Sequence, residues 1–299
     1  MTSPQVAVHH RTTYSFDRAV VASPHILRLR PVASQWTAVL HHEQRVAPAE
    51  HLLHWQQDPF GNHVARVSFL GPISGIDIEV EIVAELTPRN PFDFLLDPSA
   101  ELWPFAYGET LSKDLGHHLD ADPAGPLVTG FLADIDRAPR PTIGVLGEIG
   151  LAVAGSVRHE VRTETGILST EETLRRGTAS CRDSAWLMVQ VFRHLGLAAR
   201  FVSGHLVDLR PDGDITDLHA WADVYLPGAG WVGIDPTSGL FTAEGHIPLA
   251  VAPYPEGTAP VIGTTEPCRV ELLHTNSVRR LIGDERLPTD GSGAPGPDR

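Results

Sequence analysis

One stretch constrains the fold more than any other, running from Thr178 to Leu240. It opens with TASCRDSAWLMVQVFRHLG, where Ser180 has the chemistry of an N-cap and Gly196 that of a terminating glycine. The spacing predicts a helix over Cys181 to Leu195. Cys181, Ala185, Met188, Phe192 and Leu195 share one stripe, Asp183, Gln190 and His194 lie on another, and Trp186, Leu187, Val189 and Val191 fill the flanks. So little polar circumference predicts a central, largely buried helix. Strand-like segments follow at Ala198 to Leu209, Leu218 to Leu226 and Gly230 to Ile234, the last two joined by the turn Pro-Gly-Ala-Gly. If Val224 pairs with Val232, Trp221 falls opposite Asp235 and His219 opposite Thr237. His219 and Asp235 then lie diagonally on one face of neighbouring strands.

The first part of the chain has a different period. VAVHHRTTYSF, HILRLRP, AVLHHEQRVAP, HLLHWQQD, NHVARVSFL and GIDIEVEIVAEL are strand-like and separated by breaks rich in Pro, Gly and Asp. In the last of them Ile76, Ile78, Val80 and Ile82 alternate with Asp77, Glu79 and Glu81, which predicts one buried and one wet face. DPFGN at Asp58 to Asn62 has turn chemistry. An antiparallel, sandwich-like domain is expected here. Pro88 to Tyr107 reads as a packed linker, followed by helical patterns near 108–119, 126–136 and 142–161. Ser169 and Glu172 could form a capping box for one more short helix. The expected organisation is α+β: a β-rich N-terminal domain over residues 1–95, a second domain over 96–282 and a disordered tail over 283–299.

A formal charge of −14 argues against nucleic acid or an anionic membrane as partner. No apolar run is long enough to span a bilayer, and the N-terminus lacks the pattern of a secretory signal, so a cytoplasmic location is expected. Two cysteines, Cys181 and Cys268, cannot build a disulfide framework or a cysteine-rich zinc site. The histidine pairs His9-His10 and His41-His42 sit in strands, where neighbours point to opposite faces, and are poor chelates. No metal or organic cofactor is called for.

A cysteine in the first turn of a buried helix meets the partial positive charge of the helix N-terminus, which favours a thiolate. The free N–H groups there can hold an oxyanion. Taken singly, Cys181 reads first as a small buried hydrophobe, His219 as a structural histidine and Asp235 before Pro236 as a turn residue. Together, the helix-start cysteine, the HAW that opens one strand and the DP that closes the next resemble the transglutaminase-like superfamily of papain-type cysteine enzymes. SCRDSAWLMVQVFRHLGLAARFVSGHL resembles the family's cysteine helix and following strand. DLHAWADVYLPGAGWVGIDPTSG resembles its histidine and aspartate strands, and GHIPLAVAP the segment after them. SPHILRLRP, WQQDPFGN and NPFDF resemble the β-rich domain that precedes the core in bacterial members.

The resemblance implies a papain-like core with the cysteine helix packed on an antiparallel sheet. Cys181 matches the nucleophile, His219 the general base and acid, and Asp235 the residue that orients the imidazole. Ala179-Ser180 stands where many members have Gly-Val, and His205 where tyrosine is common. Trp221, His205 and Trp231 are candidates to line the substrate cleft, against the plainer reading of each as a packing residue; Asp183 is expected to support the helix start. The function implied is a cysteine-dependent amide hydrolase or acyl transferase (protease, amidase or transglutaminase-like) that acts on peptide or glutamine amides of a peptide or protein substrate through a Cys181 thioester. A non-catalytic peptide-binding or scaffold protein is the alternative. The resemblance also implies ATP-grasp-type peptide-ligating enzymes as neighbours.

Overall fold

Alternation decides the first sheet. In the computed structural model, which describes residues 3–33, 37–88, 90–162 and 164–281, the strands are β1 Gln5–Val20, β2 His25–Leu27, β3 Thr37–Ala47, β4 His51–Gln57, β5 His63–Phe69 and β6 Ile73–Leu86. Ile76, Ile78, Val80 and Ile82 of β6 are buried, while Asp77 and Glu79 on the other face pair with Arg11 and His9 of β1. Two four-stranded sheets result, and residues of both share one core: Val6, Val8 and the β6 stripe from one, Leu27, Ala65 and Val67 from the other. The DPFGN turn closes as its composition predicts, with Asp58 accepting from the backbone N–H groups of Phe60 and Asn62.

Short elements lead into the second half: β7 Leu102–Trp103, α1 Glu109–Leu115, α2 Pro126–Ala133, β8 Arg140–Pro141, α3 Thr142–Ser156, β9 Arg158–His159, α4 Thr170–Arg176 and β10 Thr178–Ala179. The third helix ends at Ser156, short of the expected 161, because the backbone turns extended at Val157 and the next residues pair in parallel with β10. The cap of α4 is half of the expected box. Ser169 accepts from the Glu172 N–H, but the Glu172 carboxylate is taken by Arg175 and Arg176.

The central helix α5 runs Cys181–His194, and every residue from Asp183 to Arg193 is buried. Both ends follow from the sequence. Ser180 and Asp183 form a reciprocal capping box. At the other end Gly196 takes φ +81°, Leu197 N–H bonds Phe192 C=O and Gly196 N–H bonds Arg193 C=O, the two bonds of a Schellman motif. The helix packs on a sheet of β11 Ala199–Asp208, β12 Ile215–Leu226, β13 Gly230–Ile234 and β14 His246–Ala252, in the order β13-β12-β11-β14. Ala222, Val224 and Val232 share its core with Leu187, Met188 and Phe192. Burying side chains of that size contributes about 1.5–3 kcal/mol each.

The chain then returns to its beginning. β15 Val261–Ile262 pairs with β2, and β16 Val270–Leu281 pairs with β1 along its whole length. Within residues 261–281, expected in the second domain, both strands pair with the N-terminal sheets. The halves also share packing, since Val207, Ile247 and Leu249 belong to the N-terminal core. Residues 283–299, expected to be a disordered tail, lie outside the described residues. No helix among the described residues is long and apolar enough to cross a membrane.

Candidate active site

The turn Pro-Gly-Ala-Gly sets the register that the site depends on. Val224 pairs with Val232, and the ladder runs to Ala222 opposite Ile234, one step short of Trp221 and Asp235. The chain leaves β13 at Asp235 and closes a tight turn, with Gly239 N–H donating to Asp235 C=O. Gly239 adopts φ +74° there and abuts the α3 backbone at Gly150 and Leu151, a place that no larger residue fits without strain. This turn aims the Asp235 carboxylate back at β12. His219 Nε2 lies 3.0 Å from Asp235 Oδ2.

Asp235 is nearly fully buried and is met by donors on both oxygens. Oδ1 accepts from Thr237 N–H at 2.8 Å and the Thr237 hydroxyl at 2.7 Å, and Oδ2 also lies 3.3 Å from His246 Nε2. Burial alone would raise the carboxyl pKa, but the His219 and His246 contacts and Thr237 overcome it and hold it far below the usual carboxylate range. His219 mirrors this. Burial pushes the imidazole down, while Asp235 and the Cys181 sulfur together outweigh it and hold the pKa up at about 10. With Nε2 engaged by Asp235, Nδ1 is the ring nitrogen left for the sulfur. Asp235 and Cys181 together therefore favour the protonated form of the imidazole.

Cys181 itself is half-buried at the first position of α5. Because Ser180 and Asp183 satisfy each other, the Cys181 and Arg182 N–H groups take no acceptor among the described residues. Asp183 does what its position predicts. It is fully buried, accepts from Ser180 and from the Leu168 N–H, and forms a bidentate pair with Arg162 at 3.0 Å to each oxygen. This braces the cysteine end of the helix from behind.

The three cleft candidates separate. Trp221 and Trp231 both line a cavity of about 240 Å³ beside the histidine, together with Arg200, Asp223, His246 and Val251. The Trp221 ring lies 6.5 Å from that of His219 and donates its N–H to Asp223. Gly204 makes room for it, since a Cβ there would collide with the indole. Trp231 carries the Arg200 guanidinium 4.3 Å above its face. His205 takes the plainer reading of a packing residue: it lies in the packed interface between the halves, fully buried, with its ring 5.9 Å from that of His10. Strand parity explains this, for His205 follows Gly204, which pairs with His219, and so points to the opposite face.

His246 is the site residue that sequence reasoning missed. It begins β14, eleven positions past Asp235, and the quoted GHIPLAVAP carried it only as part of a resemblance. No periodicity marks it, and only the folded turn brings it to the carboxylate.

Comparisons with known proteins agree with this architecture. Residues 6–85 match the bacterial transglutaminase-like N-terminal region, and residues 131–236, which include Cys181, His219 and Asp235, match the transglutaminase-like superfamily. Uncharacterized proteins of Mycobacterium bovis and Mycobacterium tuberculosis are each 26% identical over 289 residues, spanning 92% of this chain and 89% of theirs. The crystal structure of a "Putative Cysteine Protease" from Cytophaga hutchinsonii superposes with a TM-score of 0.70 at 15% identity. That match covers 95% of this chain and 93% of the other, and is a likeness of fold. With its N-terminal region and its core both matched, the chain belongs to the bacterial transglutaminase-like proteins.

Proposed function

We propose that the protein is a cysteine-dependent amide hydrolase acting on peptide or protein substrates, with Cys181 as nucleophile, His219 as acid and base and Asp235 as the group that orients the imidazole. The observation that carries this reading is the placement of His219 between Asp235 and Cys181, at the start of a capped and buried helix. In the resting thiolate–imidazolium form, the Cys181 sulfur attacks the amide carbonyl carbon and the electron pair moves to oxygen. The N–H groups of Cys181 and Arg182, which take no acceptor among the described residues, are the donors offered to that charge. As the C–N bond breaks, His219 gives its proton to the departing amine, which leaves a thioester and a neutral imidazole. Water then loses a proton to His219 and attacks the thioester; the C–S bond breaks, and acid and the starting ion pair are restored.

An amine in place of water makes the same cycle a transamidation. Hydrolysis is favoured because Cys181 and His219 both keep some exposure to solvent, and because the neighbour from Cytophaga hutchinsonii is described as a "Putative Cysteine Protease". The test compares wild type with Cys181→Ala on a peptide library, with and without added amines, by mass. Cleavage or deamidation that vanishes in the variant is expected. Amine incorporation in place of hydrolysis moves the reading to acyl transfer, and products independent of Cys181 overturn it in favour of a binding or scaffold role.

A further inference from the structure

Asp235 is shared. Two imidazoles approach the same oxygen, His219 at 3.0 Å and His246 at 3.3 Å, while Thr237 takes up the other. A carboxylate has about four lone-pair sites, and all four are used. The proton on the second imidazole is placed from behind, because the Ala243 N–H donates to His246 Nδ1 at 3.3 Å. The ring is then neutral with its hydrogen on Nε2, aimed at Asp235. The backbone reinforces this, since His246 N–H bonds Ala243 C=O, and the Trp221 ring stands edge-on to the imidazole at 5.2 Å.

We propose that His246 is a positioning residue for the reaction above: a neutral imidazole that donates to the Asp235 oxygen holding His219 and so divides the pull of that oxygen. The inference rests on the proposed function. Its chemical sense follows from the acid role of His219. An imidazolium pinned by an undivided carboxylate gives up its proton poorly, and an effective general acid needs a proton affinity near the working pH. A second donor on Oδ2 weakens the grip of that oxygen on the His219 proton without turning the ring. The charged or titratable groups facing this pair are Cys181 from α5, Asp235 from the turn and, farther along the cavity, Asp223, whose charge Arg200 offsets at 2.8 Å. Trp221 adds no charge.

The experiment uses imidazole 15N–1H spectra of the full-length protein, with Cys181 alkylation by iodoacetamide followed against pH. Wild-type His246 is expected as the Nε2–H tautomer. In His246→Leu the His219 Nε2–H proton should move downfield and the His219 titration midpoint rise by roughly one pH unit, the scale of one hydrogen bond to a charged group. His246→Gln, whose amide N–H can reach the position of Nε2, should restore both. An Nδ1–H tautomer in wild type, or an unmoved His219 midpoint in His246→Leu, overturns the inference; the tautomer decides alone if that variant does not fold. His219→Ala separates the two levels. If alkylation below pH 8 is the same with and without His219, the cysteine–histidine pair itself fails and this inference with it. If low-pH alkylation depends on His219 while the midpoint ignores His246, only the role of His246 is lost.

Discussion

His219 and His205 lie almost side by side in one sheet, His219 opposite Gly204 and His205 the next residue along, and their protonation diverges completely. Burial pushes both imidazoles toward the neutral form. His219 has Asp235 on one side and Cys181 on the other, and its pKa ends at about 10. Both ring nitrogens of His205 lack a hydrogen-bond partner, and burial, with His10 adding to it, lowers its pKa to about 3. Desolvation is thus common to the two sites, and the partner decides the outcome. The consequences for stability have opposite signs. His219, raised in the folded state, contributes stability that is full below its unfolded pKa near 6.5 and is lost as pH rises toward about 10. His205, lowered in the folded state, costs stability as pH falls from 6.5 toward about 3, because the unfolded chain takes up a proton that the folded one refuses.

The strongest way to break the contrast is to remove the partner. Asp235→Asn keeps the shape of the turn but takes away the charge that holds the imidazolium. A loss of turnover of about 10⁴-fold is expected by analogy with other triads, along with the loss of Cys181 alkylation at low pH. If His219 still titrates near its raised value in this variant, Cys181 and not Asp235 sets its protonation. The other buried carboxylate sharpens the point from the opposite direction. Asp183 is as buried as Asp235, yet it is neutralised by Arg162, which holds its carboxyl below the usual range against the cost of burial. Asp183→Ala strands a guanidinium whose side chain is only 8% exposed, and should cost about 3–5 kcal/mol in urea unfolding. The His219 titration midpoint should stay where it is. Movement of that midpoint in Asp183→Ala would show that the two carboxylates act as one system.

The parts of this picture legible in the sequence are those governed by local chemistry. Ser180, Asp183 and Gly196 mark the ends of α5 because caps are short-range, and the Pro-Gly-Ala-Gly turn fixes the register that brings His219 toward Asp235. The alternation in β6 likewise reports its buried face. What escaped depends on distant pairing. β16 meets β1 across most of the chain, so nothing within Val270 to Leu281 reveals that it finishes the first sheet. The face that His205 takes is not legible locally, because the parity of a strand residue follows from its neighbours and the pairing with β14 shifts register between Ser203 and Gly204. His246 was invisible as a site residue because a turn, not a pattern, delivers it.

The smallest expected effect tests the partnerless side of the contrast. His205 fills its site by volume while offering polar atoms that nothing satisfies, so His205→Leu removes unpaired nitrogens at little cost in packing. At neutral pH the variant should be as stable as wild type or more so by up to about 1 kcal/mol. In acid the difference grows. Wild type should lose about 1.4 kcal/mol per pH unit on account of this histidine below its unfolded pKa, and the variant should lack that share of the slope. The remainder persists because His10, also lowered by burial, keeps its place between Thr12 and Asn276. Urea unfolding from neutral pH down to about pH 4 reads the difference directly. Parallel curves for variant and wild type would mean that the folded protein admits a proton at His205 after all, and that the two histidines differ less than their surroundings imply.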